Sequence, residues 1–349
     1  MTTATDQAQA PSLLRKIVQA PIVCQQKYYQ AKANGNNDPR YKALRNFAIS
    51  MSVFNVFGYT LLGFEQMWIL PIFAIITGYT TELTLETITA WARRRRPQYL
   101  GRGPRGVFEF LLPAHITSLA VNMLLYTNNQ IRPVIFGVMV GVSGKYILQA
   151  PIAGRMRHFM NPSNLGIAAT FTVFGSWVAI NQPYMFTENT NQFFKIMVPV
   201  IILTAGTVLN AKLTGRTMLI VGWMGGFAIQ AFIRHAIWDV SLFSALGLMT
   251  GVAFLLFTNY MVSDPGTTPS KPIPQFIFGA GVAFFYAILM ESNVVFTLFF
   301  SVVITCAVRG AGWWAVHLYS KNRKRRQARL DEQISTAVAT PAPVQVPVG

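Results

Sequence analysis

Acidic residues are scarce in this chain: Asp and Glu number 12, against 29 Lys and Arg. Charged residues together reach only 12%, where a water-soluble domain carries about 25%. A chain so short of charge cannot coat a water-facing surface of normal extent, although 349 residues would otherwise suggest two soluble domains. Cysteine is nearly absent, with Cys24 in the polar N-terminal region and Cys306 in the last apolar stretch. Two scattered thiols supply neither a disulfide framework nor the ligand set of a zinc or iron–sulfur centre, so no metal is expected. His115 has no second mid-stretch histidine to complete a bis-histidine haem site. Residues 1–45 carry seven basic residues and no apolar core, which excludes a cleavable signal peptide. What is abundant is apolar: 52% of residues, with Phe alone occurring 26 times. These figures exclude collagen and intrinsic disorder and point to an all-α integral membrane protein.

The net charge of +17 suggests nucleic-acid binding only until the basic residues are located. They stand in short runs between apolar stretches, as topogenic charge does, and no nucleic-acid partner is expected. A helix needs about 20 mainly apolar residues to cross the hydrocarbon. Ten stretches qualify, near 46–64, 67–91, 107–126, 133–150, 164–181, 195–210, 217–234, 236–258, 275–290 and 293–318. With the N-terminus inside, 24 of the 29 basic residues fall in inside segments, and only Arg132, Lys195 and Arg234 lie outside. One missed span would invert every later loop, so the asymmetry supports the count and places both termini in the cytoplasm, in a multi-pass plasma-membrane protein. The chain then divides into a basic N-terminal region (1–45), a ten-helix membrane domain (46–318) and a cytoplasmic tail (319–349) that is basic and then disordered after Leu330. A short surface helix near Leu13–Val18 is also expected. Ten spans make two sets of five, and an odd number per set implies two inverted five-helix repeats with a site at their interface.

Ionisable residues within apolar stretches mark functional sites by default. Glu82 and Glu86, four apart, share a helix face. Glu86 can equally pair with the Arg93–Arg96 run, and Glu82 less readily. Lys145 either snorkels to the inner surface or stands as a fixed cation facing a phosphate or Glu82. His115 reads as a satisfied core histidine, and Arg309 and His317 as interfacial residues. Two irregular segments lie on the inside. In the first, His158 to Gly166, Asn161-Pro162 starts a turn, Ser163 or Asn164 can cap the next helix, and its N-terminal N–H groups can cradle an anion. In the second, Asp264-Pro265-Gly266 makes a tight turn followed by Thr267 and Thr268, whose hydroxyls can cap or bind. Either segment reads equally as a plain helix–helix turn.

Ser143-Gly144-Lys145, the run from His158 to Gly166, Thr80-Thr81-Glu82-Leu83, Gly222 to Gly226 and Ser263 to Thr268 occur in an order and spacing that resembles one family. It is the family of the RnfD protein of the Rnf electron-transport complex and the NqrB protein of the sodium-pumping NADH:quinone reductase. The resemblance covers roughly residues 50–310 and implies ten helices in two inverted repeats, flavin cofactors and membrane redox chemistry. Family members carry covalent flavin mononucleotide on a threonine after the fifth span. Here that loop is short and holds Thr187 and Thr190 without the matching motif, so non-covalent riboflavin or flavin mononucleotide, or a quinone, is expected instead. The compact form is most similar to the UnbU-type membrane proteins of enediyne antibiotic biosynthesis. The expected function is therefore electron transfer, in exchange with a cytoplasmic redox partner or biosynthetic enzyme. Glu82 and Lys145 are its expected catalytic residues, and His158, Asn161, Ser163, Asn164, Asp264, Thr267 and Thr268 its expected cofactor ligands. The alternatives are an inverted-repeat transporter or exporter without a redox cofactor and a scaffold that recruits enzymes through its basic ends. Cysteine labelling tests the threading: single cysteines at Asn161 and Asp264 are expected to react from the same side of the membrane, and reaction from opposite sides contradicts the span count.

Overall fold

The computed structural model describes residues 39–62, 64, 66–101, 103–152, 154–180 and 191–339. They are mostly helical. The helices are α1 (Pro39–Thr60), α2 (Leu70–Ala92), α3 (Gly103–Leu124), α4 (Ile131–Ile147), α5 (Pro162–Phe174), α6 (Gln192–Val208), α7 (Thr217–Trp238), α8 (Leu242–Gly247), α9 (Val252–Leu256), α10 (Pro272–Glu291) and α11 (Thr297–Ala339). Among the described residues, strand structure is confined to two antiparallel pairs. One joins β1 (Leu125–Tyr126) to β4 (Ala179–Ile180), and the other is the hairpin of β2 (Gln149–Ile152) and β3 (Arg155–His158).

Among the described residues, five helices are long and apolar enough to cross a membrane: Gly103–Leu124, Gln192–Lys212, Thr217–Trp238, Pro272–Glu291 and Thr297–Glu332. A sixth span results if Leu242–Thr250 and Phe254–Met261, bent by 62°, count as one. Several helices of this kind mark a membrane protein. The remaining apolar stretches also form helices, but not ones that pass alone. α1 and α2 have the length, 22 and 23 residues, and carry more polar residues. α4 and α5 have only 17 and 13 residues.

The fifth stretch departs most from the sequence expectation. Its helix stops at Phe174 because Gly175 takes a positive φ of 50°. The chain then turns into β4, which pairs with β1. An apolar run serves a buried strand as well as a helix, so hydropathy alone could not separate them. The end of the chain departs in the other direction. α11 stays helical through Ala339, past Leu330, where the composition predicts that order ends. Gln327-Ala328-Arg329-Leu330 are good helix formers, and no proline interrupts before Pro341. Leu13–Val18, Thr187 and Thr190 lie outside the described residues.

Close helix approach sets the interior. α7 lies against α10 where Gly222 meets the backbone of Phe276 and Gly279 meets that of Leu219, so a Cβ at either position would fall on main-chain atoms. α4 and α5 meet the same way at Gly137 and Gly166. Small residues let membrane helices touch along their backbones, where dispersion replaces the missing hydrophobic drive. Phe171 of α5 stacks on Phe296 beside α11, with ring centroids 3.8 Å apart. Gly279→Val is expected to destabilise the protein by about 1–3 kcal/mol through overpacking. Gly225→Val, where a Cβ meets open space, should leave thermal unfolding in detergent unchanged.

Candidate functional site

The interruptions of the helices converge on one cavity of about 330 Å³, within the range of small-molecule sites. The first five helices supply Glu82 and Glu86 from α2, Lys145 and Tyr146 from α4, His158 from β3, and Asn161 and Ser163 at the start of α5. The later helices supply Asn210, Thr214, Asn259, Tyr260, Ser263 and the turn Asp264-Pro265-Gly266. Phe47, Phe110 and Ile116 add apolar surface.

Lys145 does not snorkel. Its Nζ lies 2.5 Å from Glu82 Oε2, and the two side chains are 10% and 5% exposed. Tyr146, the next residue, donates its hydroxyl to Glu82 Oε1 at 3.0 Å. One helical turn on, Glu86 accepts two bonds from Arg95 and a third from the Gln98 backbone N–H at 2.8 Å. The forked Arg95–carboxylate contact is the bidentate geometry that guanidinium favours. The same hydrogen bond to Glu86 holds Arg95 above its ordinary guanidinium range. Both carboxylates of α2 are therefore matched by a cation, and α2 is tied to α4 and to the basic loop after it.

The Asn-Pro segment forms a helix start with one revision to its expected chemistry. Asn161, not Ser163 or Asn164, is the N-cap: its Oδ1 accepts the Asn164 N–H at 3.1 Å, and Pro162 occupies the first helical turn. Proline there shifts the cap upstream of the two expected positions. The Asn161 amide also donates to the Met261 carbonyl at 2.9 Å, which links the α5 start to the segment before the Asp264 turn. Ser163 donates to Asn161 Oδ1 at 3.1 Å. Asn164 is fully buried and does not line the cavity, and neither atom of its side-chain amide has a partner among the described residues.

The Asp264 turn organises itself around its own carboxylate, which accepts the Gly266 N–H at 3.1 Å and the Thr267 hydroxyl at 2.7 Å. The Thr268 hydroxyl donates to the Asp264 carbonyl at 2.5 Å. Thr267 and Thr268 are buried and stand behind the cavity wall, so they shape the turn and do not reach the space within it. A Cβ on Gly266 would lie 3.4 Å from both the Asp264 carboxylate oxygens and His158 Nε2, so His158 flanks this turn. Of the nine expected site residues, Glu82, Lys145, His158, Asn161, Ser163 and Asp264 line the cavity, and Asn164, Thr267 and Thr268 do not. No family model and no curated protein matches the chain.

Several lining or supporting groups went unread in the sequence. Asn210 and Asn259 sit in π-helical segments, Leu209–Thr214 and Phe257–Met261. The Asn210 amide donates to the carbonyls of Gly206 and Asn259, both at 2.9 Å. Wide turns of this kind gather at functional sites. An asparagine inside each of two apolar stretches was the available signal. Two arginines hold the Asp264 turn from behind: Arg216 donates to the Pro265 carbonyl at 3.1 Å, and Arg309 to the Thr267 carbonyl. Arg309 thus serves as a structural cation for the Asp264 turn. His115 is satisfied as expected, within 2.8 Å of the Ser52 hydroxyl and 2.9 Å of the Tyr79 hydroxyl.

Removing one partner of a buried ion pair leaves an uncompensated charge, at a cost of about 3–5 kcal/mol. Lys145→Met is accordingly expected to lower thermal stability and to impair activity in a complementation assay. Arg132→Met, away from the cavity lining, should be tolerated in both. Equal tolerance of the two variants contradicts the role given to Lys145.

Proposed function

We propose that this protein is a membrane redox component that holds an uncharged ring cofactor, a non-covalent flavin or a quinone, in the cavity between its two halves. The single observation that carries the reading is the composition of that cavity. Its acids are already engaged. Lys145 matches Glu82, Arg95 matches Glu86, and Asp264 is taken up by its own turn. No cation is left over among these residues to attract a phosphate, so riboflavin or a quinone suits the site better than flavin mononucleotide. Phe47, Phe110, Tyr146 and Tyr260 offer faces for a planar ring, and the Asn210, Asn259 and Thr214 side chains offer neutral hydrogen-bonding groups at its edge. A bound flavin or quinone would supply the electron-carrying chemistry, while the chain's own groups bind, orient and exclude water. The Glu82–Lys145 pair is placed to hold or pass a proton.

The same reading takes the chain as ten spans in two inverted five-helix repeats, with both termini in the cytoplasm and the cavity on the basic side of the plasma membrane. Three features support it. Each of the ten apolar stretches contains a helix, the second helix of each set packs on the fourth (α2 on α4, α7 on α10), and both halves contribute to one cavity. The resemblance to RnfD and to the UnbU-type proteins adds the biological setting: electron exchange with a cytoplasmic partner during enediyne-type natural product assembly. Purification in mild detergent tests the cofactor. A yellow preparation that releases riboflavin on denaturation, or a colourless one that binds added riboflavin or quinone, is the expected result. A preparation that does neither contradicts the proposal.

A second reading, transport without a redox cofactor, is favoured by one observation. Ser52, His115 and Tyr79, then Asn55, Asn122 and Tyr59, form two hydrogen-bonded groups along α1 to α3, the first half-buried and the second centred on buried Asn55 and Asn122. Gene deletion separates the two readings. Loss of the mature product skeleton supports the redox role, and a finished product trapped inside the cell supports export.

A further inference from the structure

A run of like charge with no part in the cavity lining lies on α11. This helix has 43 residues, roughly 64 Å at 1.5 Å per residue, about twice the ~30 Å of a hydrocarbon core. Its apolar part ends at Leu318, after Trp313 and Trp314, and Tyr319 follows. These are the aromatic residues that settle at a membrane interface. The Trp314 indole donates to the Gln149 carbonyl at 3.0 Å and fixes this level against the hairpin. Six basic residues come next, from Lys321 to Arg329, over about 12 Å of helix. That length falls within the headgroup layer plus one Debye length of about 8 Å.

Helical rotation sorts the six by chemistry. Arg323, Arg325, Arg326 and Arg329 spread over about 160° of the helix circumference, and Lys321 and Lys324 lie in the remaining half. Tyr319 and Asn322 fall on the arginine side, and these six exposed side chains border a shallow open hollow with no acidic residue in its lining. Guanidinium forks match phosphate oxygens two at a time, whereas an ammonium is a point charge. Charge needed only to orient the helix would require no such division between arginine and lysine. A single docked protein would use one face, but here cations surround the helix, as an encircling leaflet requires.

We propose that the arginine face of α11 binds the phosphodiester headgroups of anionic phospholipids, with the lysine face supplying non-specific attraction to the same leaflet. The test uses the full-length protein in nanodiscs of phosphatidylcholine with a minority of phosphatidylglycerol, and native mass spectrometry of the lipids retained on release. Retained phosphatidylglycerol is expected to be enriched over its share of the bilayer. Enrichment should fall at least about fivefold in the R323Q/R325Q/R326Q/R329Q variant. Because lost charge can also disturb insertion, R323K/R325K/R326K/R329K serves as the second variant. It keeps the charge and orientation and loses the forks, and it should show intermediate enrichment, while K321Q/K324Q stays close to the wild type. No enrichment in the wild-type protein, or enrichment equal in the arginine and all-lysine forms, overturns the proposal. So does displacement of the lipid by inorganic phosphate, which would make the hollow a free-anion site, or binding of an acidic protein that leaves lipid retention unchanged.

Discussion

A salt bridge held almost out of water fixes the geometry on which the rest depends. Lys145 and Glu82 bring the last turn of α4 against the middle of α2, and neither charge would be stable there without the other. The hydroxyl of Tyr146 adds to the same carboxylate, and the Glu86–Arg95 contact repeats the arrangement a helical turn nearer the basic surface. These links leave a polar wall in which both α2 carboxylates are matched by cations. Such a wall tolerates a neutral ring and gives no advantage to a highly charged solute.

Around that wall the helices are interrupted. α4 and α5 are short, a hairpin lies between them, α6 and α9 widen into π turns, and the Asp264 turn precedes α10. Interrupted backbone at membrane depth survives only where it is buried in protein or lines a polar cavity. Here the freed groups are answered locally: Asn161 caps α5 and reaches Met261, Asn210 reaches Asn259, and Arg216 and Arg309 take the carbonyls of the Asp264 turn. The Asn161–Met261 bond joins the first five helices to the later ones, and the others brace each side, so the shape of the cavity is set by the folded bundle and not by a ligand alone.

Much of this was legible in the sequence. Apolar length located helices, and the rarity of charge within apolar stretches singled out Glu82, Glu86 and Lys145. The Asn-Pro and Asp-Pro-Gly signals found two segments that do border the cavity. Other features were hidden for physical reasons. An apolar run cannot tell a full span from a 13-residue helix followed by a strand, as at Gly175. Side-chain direction is not written in spacing, so Asn164, Thr267 and Thr268 looked like ligands and instead lie buried behind the wall. The role of Arg309 at the Asp264 turn was hidden because its partner, the Thr267 carbonyl, is 42 residues away along the chain. Asn210 and Asn259 were passed over because single asparagines in apolar stretches draw less notice than charges, although burial makes their amides costly as well.

The central claim is that Lys145 and Glu82 act as one unit. A double-mutant cycle measures this most directly, with Glu82→Gln and Lys145→Gln made singly and together and thermal unfolding followed in detergent. The two substitutions are expected to be non-additive, the doubly substituted protein losing clearly less than the sum of the two single losses, with a coupling of about 1–3 kcal/mol. Losses that simply add would contradict the account, since the two charges would then stand independently and the cation-matched cavity wall would not exist.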